Sequence, residues 1–398
     1  MATPMMLIRP GNPGFLDLEW GRPIDEWQGG RRVEMPEGIH RHPVVFVAYP
    51  VGVYAIKELP QRAARHEYEM LRMLADRTTR TARPAGLVER RWLDPDTEGS
   101  GAVITRYVEH AFPYRELVTG GGFGGRRNQM LDAFAGLLVE LHLAGCYWGD
   151  CSLSNVLYRY DAASIAAVMV DAETARLHST LSSGQREEDL AIMEYNVAGG
   201  MADVAAEQGL DLDRSDLALG EDISTRYRSL WDELTTDLII GPDESFRIAE
   251  RVARLNDLGF EVDDVTLQPR GDGSDRVGLS VAVGGRTYNS HRLRELTGID
   301  AAEGQAKQIL ADLSYHEHKF GGVSATGKAV ATMKWRATVF EPLIAQIRER
   351  HPEADPLQAY ADFLNYRYVL AVAAGHDIDN DEAFTAWEAA GYPGYDPS

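Results

Sequence analysis

Three acidic side chains, one amide and one lysine follow one another along the first half of the chain in an order suited to work on a triphosphate. Lys57 stands late in the apolar run VYAIKEL, and Glu67 follows ten residues on in HEYEMLRML. Asp150 and Asn155 lie five apart in LHLAGCYWGDCSLSNVLY, and Asp171 ends the apolar stretch VMV sixteen residues beyond Asn155. Moving the γ-phosphoryl group of ATP asks little covalent work of a protein. It needs a cation on the phosphates, an anion to hold that cation, oxygens for magnesium and a carboxylate to orient the attacking hydroxyl. Lys57, on a strand, is placed to reach the α- and β-phosphates, and Glu67 to turn back and hold it. Asp150 would accept a hydrogen bond from the substrate hydroxyl, while Asn155 and Asp171 hold magnesium. Each residue alone has a plainer reading: Lys57 with its ammonium in solvent, Glu67 as a solvated helix charge, Asp171 as a turn or cap. Their shared order favours the chemical one. Glu69 competes with Glu67 but lies on another helical face, and the spacing to Met70 and Leu71 favours Glu67.

The elements that must position these groups follow from hydrophobic period. Residues 1–32, rich in Gly, Pro and Trp, read as an irregular leader. VVFVAYP and VGVYAIKEL read as strands, and QRAARHEYEMLRMLADR has apolar residues at helical spacing. GLVERRWL and GAVITRYV read as two more strands. MLDAFAGLLVELHLAG reads as an amphipathic helix ended by Gly145. Beyond about Ile240 a helix precedes two β runs, VTLQPRG and RVGLSVAVGG, and mostly helices follow. The organisation expected is α+β: a leader over 1–32, a small-sheet lobe over 33–108, a helical lobe over 109–235 and a separate domain over 236–398.

LHLAGCYWGDCSLSNVLY followed by VMVDAETA resembles the catalytic and metal-binding loops of the protein-kinase-like superfamily. Its closest resemblance is to bacterial lipopolysaccharide-kinase-like (Kdo/WaaP-type), RIO-kinase and aminoglycoside-phosphotransferase members. With its second half, the chain resembles a bacterial family in which such a domain precedes a domain of unknown function. The resemblance implies a bilobal fold over about 33–235, ATP in the cleft, and backbone contacts to adenine from Arg106, Tyr107 and Val108. It also implies an atypical kinase acting on a hydroxyl acceptor. The competing class is a pseudokinase-type nucleotide-binding module whose C-terminal domain binds a partner. A third is another transferase on the same scaffold, such as one that transfers a nucleotidyl group.

Three departures bear on this. The family's histidine before Gly-Asp is Trp148 here, and the usual Asp-Phe-Gly reads Asp171-Ala172-Glu173. Glu173 is then either an extra metal ligand or a solvated charge. No Gly-rich loop precedes Lys57; Gly38, His40, Arg41 and His42 stand in its place. Arg41 or a neighbouring imidazole would cover the phosphates, unless this is an exposed basic turn.

Other motifs are discounted. GGVSATGKAV has Ala329 where a phosphate loop needs Ser or Thr, and follows a helical rather than a strand pattern. His316 and His318 diverge on a helix, so they make a poor metal pair. Asp377, Asp379, Asp381 and Glu388 mimic a calcium loop, but Glu382 occupies its glycine position. GGGFGG at 120–125 reads as a connector.

Composition bounds the partners. The chain has 398 residues, 44% hydrophobic, and a formal net charge of −21. So acidic a surface disfavours nucleic acid and anionic lipid. The two cysteines, Cys146 and Cys151, suit a reducing compartment. With no signal-like start and no apolar run of membrane-spanning length, a cytoplasmic protein is expected. The C-terminal domain is read as a substrate lid, a partner-binding unit or a self-association unit, and the acceptor as a sugar, a lipid-linked glycan or a protein hydroxyl.

Overall fold

The computed structural model describes residues 4–35, 42–77, 79–89, 100–117, 126–209, 211, 214–270, 275–320 and 324–395. Two compact units divide the chain: Met1–Arg159 with Ala167–Trp231, and Tyr160–Ala166 with Asp232–Ser398.

In the first unit the strands are β1 (Met5–Ile8), β2 (Arg32–Val33), β3 (Val44–Tyr49) and β4 (Gly52–Pro60). Helix α1 (Gln61–Asp76) leads on to β5 (Pro84–Glu89) and β6 (Ser100–Arg106). These strands form one sheet in the order β1-β5-β6-β4-β3-β2. The Gly52 turn makes β3 and β4 a hairpin, registering Lys57 opposite Val44 on one side and Val103 on the other. Alternation along β4 buries Tyr54 and Ile56 on one face and turns Lys57 to the other, as a period of two requires.

The leader is not irregular throughout. Met5–Ile8 pairs antiparallel with β5 across some eighty residues of chain. Phe15, Trp20, Ile24 and Trp27 close a core with Val45, Val47, Tyr54, Ile56, Val88 and Ile104. Glu58, next to Lys57, accepts the Ile24 N–H at 2.9 Å. Composition hid this because four strand residues are too few to show a period, and the core is carried by aromatics spaced between turns.

Next come β7 (Ala111–Pro113), α2 (Tyr114–Leu117), α3 (Arg127–Leu143), β8 (Cys146–Tyr147), β9 (Val156–Asp161), β10 (Ser164–Met169) and β11 (Arg176–Leu177). Helices α4 (Ser183–Gln208), α5 (Arg214–Leu217) and α6 (Leu219–Thr235) follow. Sequence reading made α3 amphipathic; every residue from Ala133 to His142 is instead buried. Its apolar residues surround the axis, the pattern of a helix packed on all sides. Gly145 then turns the chain at φ +76°, where an added Cβ would strike the His178 carbonyl.

The second unit has β12 (Leu238–Ile240), α7 (Phe246–Asp257), β13 (Val262–Pro269) and β14 (Val277–Val283), in the sheet order β12-β14-β13. Among the described residues the helices α8 (Tyr288–Thr297), α9 (Glu303–Phe320), α10 (Ala325–Trp335), α11 (Glu341–Arg350), α12 (Pro356–Ala374) and α13 (Asn380–Ala389) follow. Trp335, Phe340 and Phe363 lie in its core, with Trp387 beside them. Buried Asp312 accepts from Trp335 Nε1, Tyr360 OH and Arg367 Nη2 at 2.8, 2.9 and 3.0 Å, so its charge is answered. In this unit Asp161 accepts the Gly304 and Gln305 N–H groups at 2.9 and 2.8 Å. The fold class is α+β, a small sheet and helices followed by a mostly helical part with its own small sheet.

A core role for the leader makes Trp27, 4% exposed, a stability determinant. Trp27→Ala should destabilise by about 3–5 kcal/mol, the range for large-to-small core changes. Chemical denaturation measures this, and a loss under about 1 kcal/mol would return the segment to a passive leader.

Candidate active site

Lys57 is the hub of the first unit's polar cluster. Its Nζ lies 2.6 Å from Asp171 Oδ2, 3.1 Å from Glu67 Oε2 and 3.7 Å from Glu173 Oε2. Helix α1 delivers Glu67 because Ala64, Glu67, Tyr68, Leu71 and Leu74 share its buried face. Glu69 is exposed. Glu67 is 1% exposed. The helix is tied down further by His66 Nε2, 2.8 Å from the Ala175 carbonyl just past Asp171.

Burial raises the Glu67 carboxyl from an ordinary 4.5 to about 8; Lys57 opposes this, while Asp171 and Glu173 reinforce it. Burial alone would lower Lys57, but Glu67 and Asp171 outweigh it and hold the ammonium above its ordinary value. The pair titrates as one unit. The direction fixed by the geometry is a protonated lysine through the neutral range, with Glu67 the acid that releases its proton late.

Asp150 is exposed, at the end of a turn that Gly149 enters at φ +78°. Asp189, fully buried on α4, holds that turn. Its carboxylate accepts the Trp148 and Gly149 N–H groups, both at 2.7 Å, and His142 Nε2 at 3.2 Å. Burial lowers the His142 imidazole, so the neutral ring donates through Nε2 and accepts at Nδ1 from the Tyr227 hydroxyl at 2.7 Å. The same helix supplies Asn196, whose Nδ2 donates to Asp150 Oδ1 at 3.1 Å and to the Cys151 carbonyl at 3.2 Å. Asn155 Nδ2 donates to the Asp150 carbonyl and Oδ2 at 3.0 and 3.2 Å.

Several bonds join the Asp150 loop to the Asp171 loop, one of them from the Thr174 hydroxyl to the Trp148 carbonyl at 2.8 Å. Val170 N–H donates to the Asn155 carbonyl at 3.0 Å, and Trp148 Nε1 donates to the Asp171 carbonyl at 3.0 Å. Trp148, where the resembled family has histidine, therefore links the two loops while stacking on Phe134 at 6.2 Å. Asn155 leaves its amide oxygen, and Asp171 an exchangeable Oδ2, as hard oxygen donors of the kind magnesium takes. Among the described residues no three His, Cys, Asp or Glu side chains form a closed metal cage. A cation sharing its shell with water and phosphate needs none.

The structure thus brings Lys57, Glu67 and Asp171 together and sets Asn155 between Asp150 and the Asp171 loop. Arg41 lies outside the described residues, as do Gly38, His40 and the glycines at 120–125. Its neighbour His42 is described, with Nε2 3.3 Å from Glu173 Oε2. The expectation for 106–108 narrows. The Arg106 and Tyr107 N–H groups already donate to the Arg83 and Val53 carbonyls at 2.8 and 2.9 Å. Sequence reading missed Asp189, His142 and Asn196; in REEDL, Asp189 looks like one of a run of solvated charges. Of the discounted motifs, Asp379 caps α13 through the Asp381 N–H, and His316 and His318 sit on α9. Among the described residues no helix is long and apolar enough to cross a membrane.

A small sheet with an ion-paired lysine, followed by loops carrying Asp150, Asn155 and Asp171, marks a kinase-like region. Residues 52–214 match the Lipopolysaccharide kinase (Kdo/WaaP) family, and residues 229–390 match a domain of unknown function, DUF4032. Among solved structures, "WaaP in complex with acyl carrier protein" aligns with 57% of this chain and 88% of that one, at 16% identity and a TM-score of 0.34. No curated protein matches. At the level of the family, the first half has the character of a kinase-like phosphotransferase.

The raised Glu67 carboxyl gives a pH signature. Between about pH 4.5 and 8 the unfolded chain has lost a proton that the folded chain keeps. This group's stability contribution is therefore full below about 4.5 and is lost as pH rises towards about 8. Unfolding midpoints in metal-free buffer should move in favour of Glu67→Gln over wild type between about pH 5 and about pH 8.5. A constant difference across that range would mean that Glu67 ionises normally.

Proposed function

We propose that the chain is an ATP- and magnesium-dependent phosphotransferase acting on a hydroxyl acceptor. The observation that carries this reading is the bridge from Lys57 Nζ to Glu67 and Asp171, which joins a strand lysine to a buried helix carboxylate and a loop carboxylate. In this reading Glu67 keeps the ammonium aimed into the cleft, where it meets the α- and β-phosphates. Asn155 and Asp171 would hold magnesium, which when bound neutralises charge on the β- and γ-phosphate oxygens.

Asp150 accepts the hydrogen bond of the acceptor hydroxyl and takes its proton as the oxygen attacks phosphorus. Asn196 fixes one carboxylate oxygen, Oδ1. Oδ2 becomes available when Asn155 turns its amide elsewhere. Asp189 contributes rigidity: held by its two backbone bonds, the turn carries Asp150 without reorganising.

Thermal unfolding with ATP, with and without magnesium, tests the nucleotide site. A ligand at a hundredfold its Kd stabilises by about 2.7 kcal/mol, so the midpoint should rise when both are present. The rise should vanish in Asp171→Ala; no shift at saturating nucleotide would overturn the reading.

Asp150→Asn tests the chemistry. It should keep the ATP-dependent rise while lowering turnover, read as ADP release, by roughly 10²–10⁴-fold, the range for a lost general base. Undiminished turnover would remove Asp150 from the mechanism.

A further inference from the structure

Strands β9 and β10 form a hairpin with a site residue at each root. β9 starts at Val156, directly after Asn155, and β10 ends at Met169, two residues before Asp171. The Val170 N–H closes the roots on the Asn155 carbonyl at 3.0 Å. The two strands are paired in one small sheet, a rigid element, so whatever holds the far end of the hairpin bears on both roots.

That far end, Tyr160–Ala166, belongs to the second unit, although the roots belong to the first. Asp161, 7% exposed, accepts the Gly304 and Gln305 N–H groups in the first turn of α9, a cap supplied from 143 residues away in the chain. A Cβ at Gly304 would stand 2.6 Å from the Asp161 carbonyl oxygen, so glycine is what permits the approach. From α12, Gln358 takes both backbone groups of Ala162. Its Oε1 accepts the Ala162 N–H at 2.8 Å, and its Nε2 donates to the Ala162 carbonyl at 3.0 Å. Gln305 Nε2 donates to the same Gln358 Oε1 at 3.2 Å, joining what the two helices contribute. The turn needs this grip. Ala162 has φ +55° at the start of a two-residue connection, a place where hairpins ordinarily carry glycine or asparagine. An alanine keeps that conformation only where its surroundings impose it, and here Gln358 does so.

We propose that Asp161 and Gln358 are positioning residues through which the second unit sets the hairpin, and with it the spacing of Asn155 and Asp171. The inference deepens the phosphotransferase reading, in which those two residues hold magnesium, and rests on it for that role. It gives the second unit a task inside the reaction: keeping the metal-holding pair in register.

Gln358→Ala in the full-length chain is the test, read by hydrogen exchange at Val170 and by magnesium dependence. The Val170 N–H should lose protection, because a loosened turn frees the roots. The magnesium concentration for half-maximal turnover, followed as ADP release, should rise on the order of tenfold or more, the range for groups that orient metal ligands. ATP affinity in chelator should stay as in wild type, a split that a plain loss of stability does not produce. Glycine at the strained position relieves the turn, so adding Ala162→Gly to Gln358→Ala should restore both readouts. Should Gln358→Ala fail to fold, Asp161→Asn carries the same expectations, since it keeps the shape and sets an amide against the α9 donors. Unchanged protection at Val170, an unchanged magnesium requirement, or a loss that Ala162→Gly does not restore would each overturn the proposal. The two readings fail separately. Lost protection at Val170 in chains that never respond to ATP keeps the grip on the hairpin and removes the phosphotransferase. Magnesium- and ATP-dependent turnover that Gln358→Ala leaves as in wild type does the reverse.

Discussion

An ammonium shared by carboxylates from separate stretches of chain is the constraint around which the first unit is arranged. Lys57 comes from a strand, Glu67 from the helix that follows it, and Asp171 from a loop more than a hundred residues later. Burial opposes the charge of both Lys57 and Glu67, and the two titrate as one unit. The sheet register, the buried face of α1 and the His66 contact to Ala175 all serve the meeting point. The leader belongs to the same arrangement, since its Ile24 N–H is held by Glu58, the next residue along the lysine's own strand.

A second buried charge organises the other side of the cleft. Asp189 has no exposed atom to speak of, yet it accepts two backbone donors and an imidazole. A carboxylate so well satisfied rigidifies what it touches. What it touches is the turn carrying Asp150, and two further turns of α4 bring Asn196 to Asp150. A single helix therefore both braces the loop and aims its functional group. Trp148 adds the link to the Asp171 loop through its indole N–H.

How much of this was legible in the sequence depended on distance along the chain. Lys57 and Glu67 could be read because a strand and the next helix are local, and because a glutamate on an apolar helical face is conspicuous. Asp150, Asn155 and Asp171 could be read from spacing. Asp189 could not, since its value arises only when α4 packs against a loop some forty residues earlier. The strand Met5–Ile8 was hidden for a similar reason, its partner being β5. Helix α3 was read as two-faced because counting apolar positions does not reveal how many sides are covered. The helices of the second unit were legible, but their purpose was not: apolar spacing specifies packing and says nothing of what the packed surface meets.

The two cysteines have a consequence of a different kind. Cys146 and Cys151 bracket the Asp150 turn, and neither is exposed. Burial pushes the Cys146 thiol up to about 12 and Cys151 well above its ordinary value, with Asp189 adding to both. A thiol in that state is chemically silent, since the thiolate is the reactive form. Alkylating or oxidising agents can therefore reach these sulfurs only when the turn comes loose. The rate at which they are consumed measures how often this loop opens in an otherwise folded molecule, so the chain carries a native clock for the mobility of the segment on which its chemistry would depend.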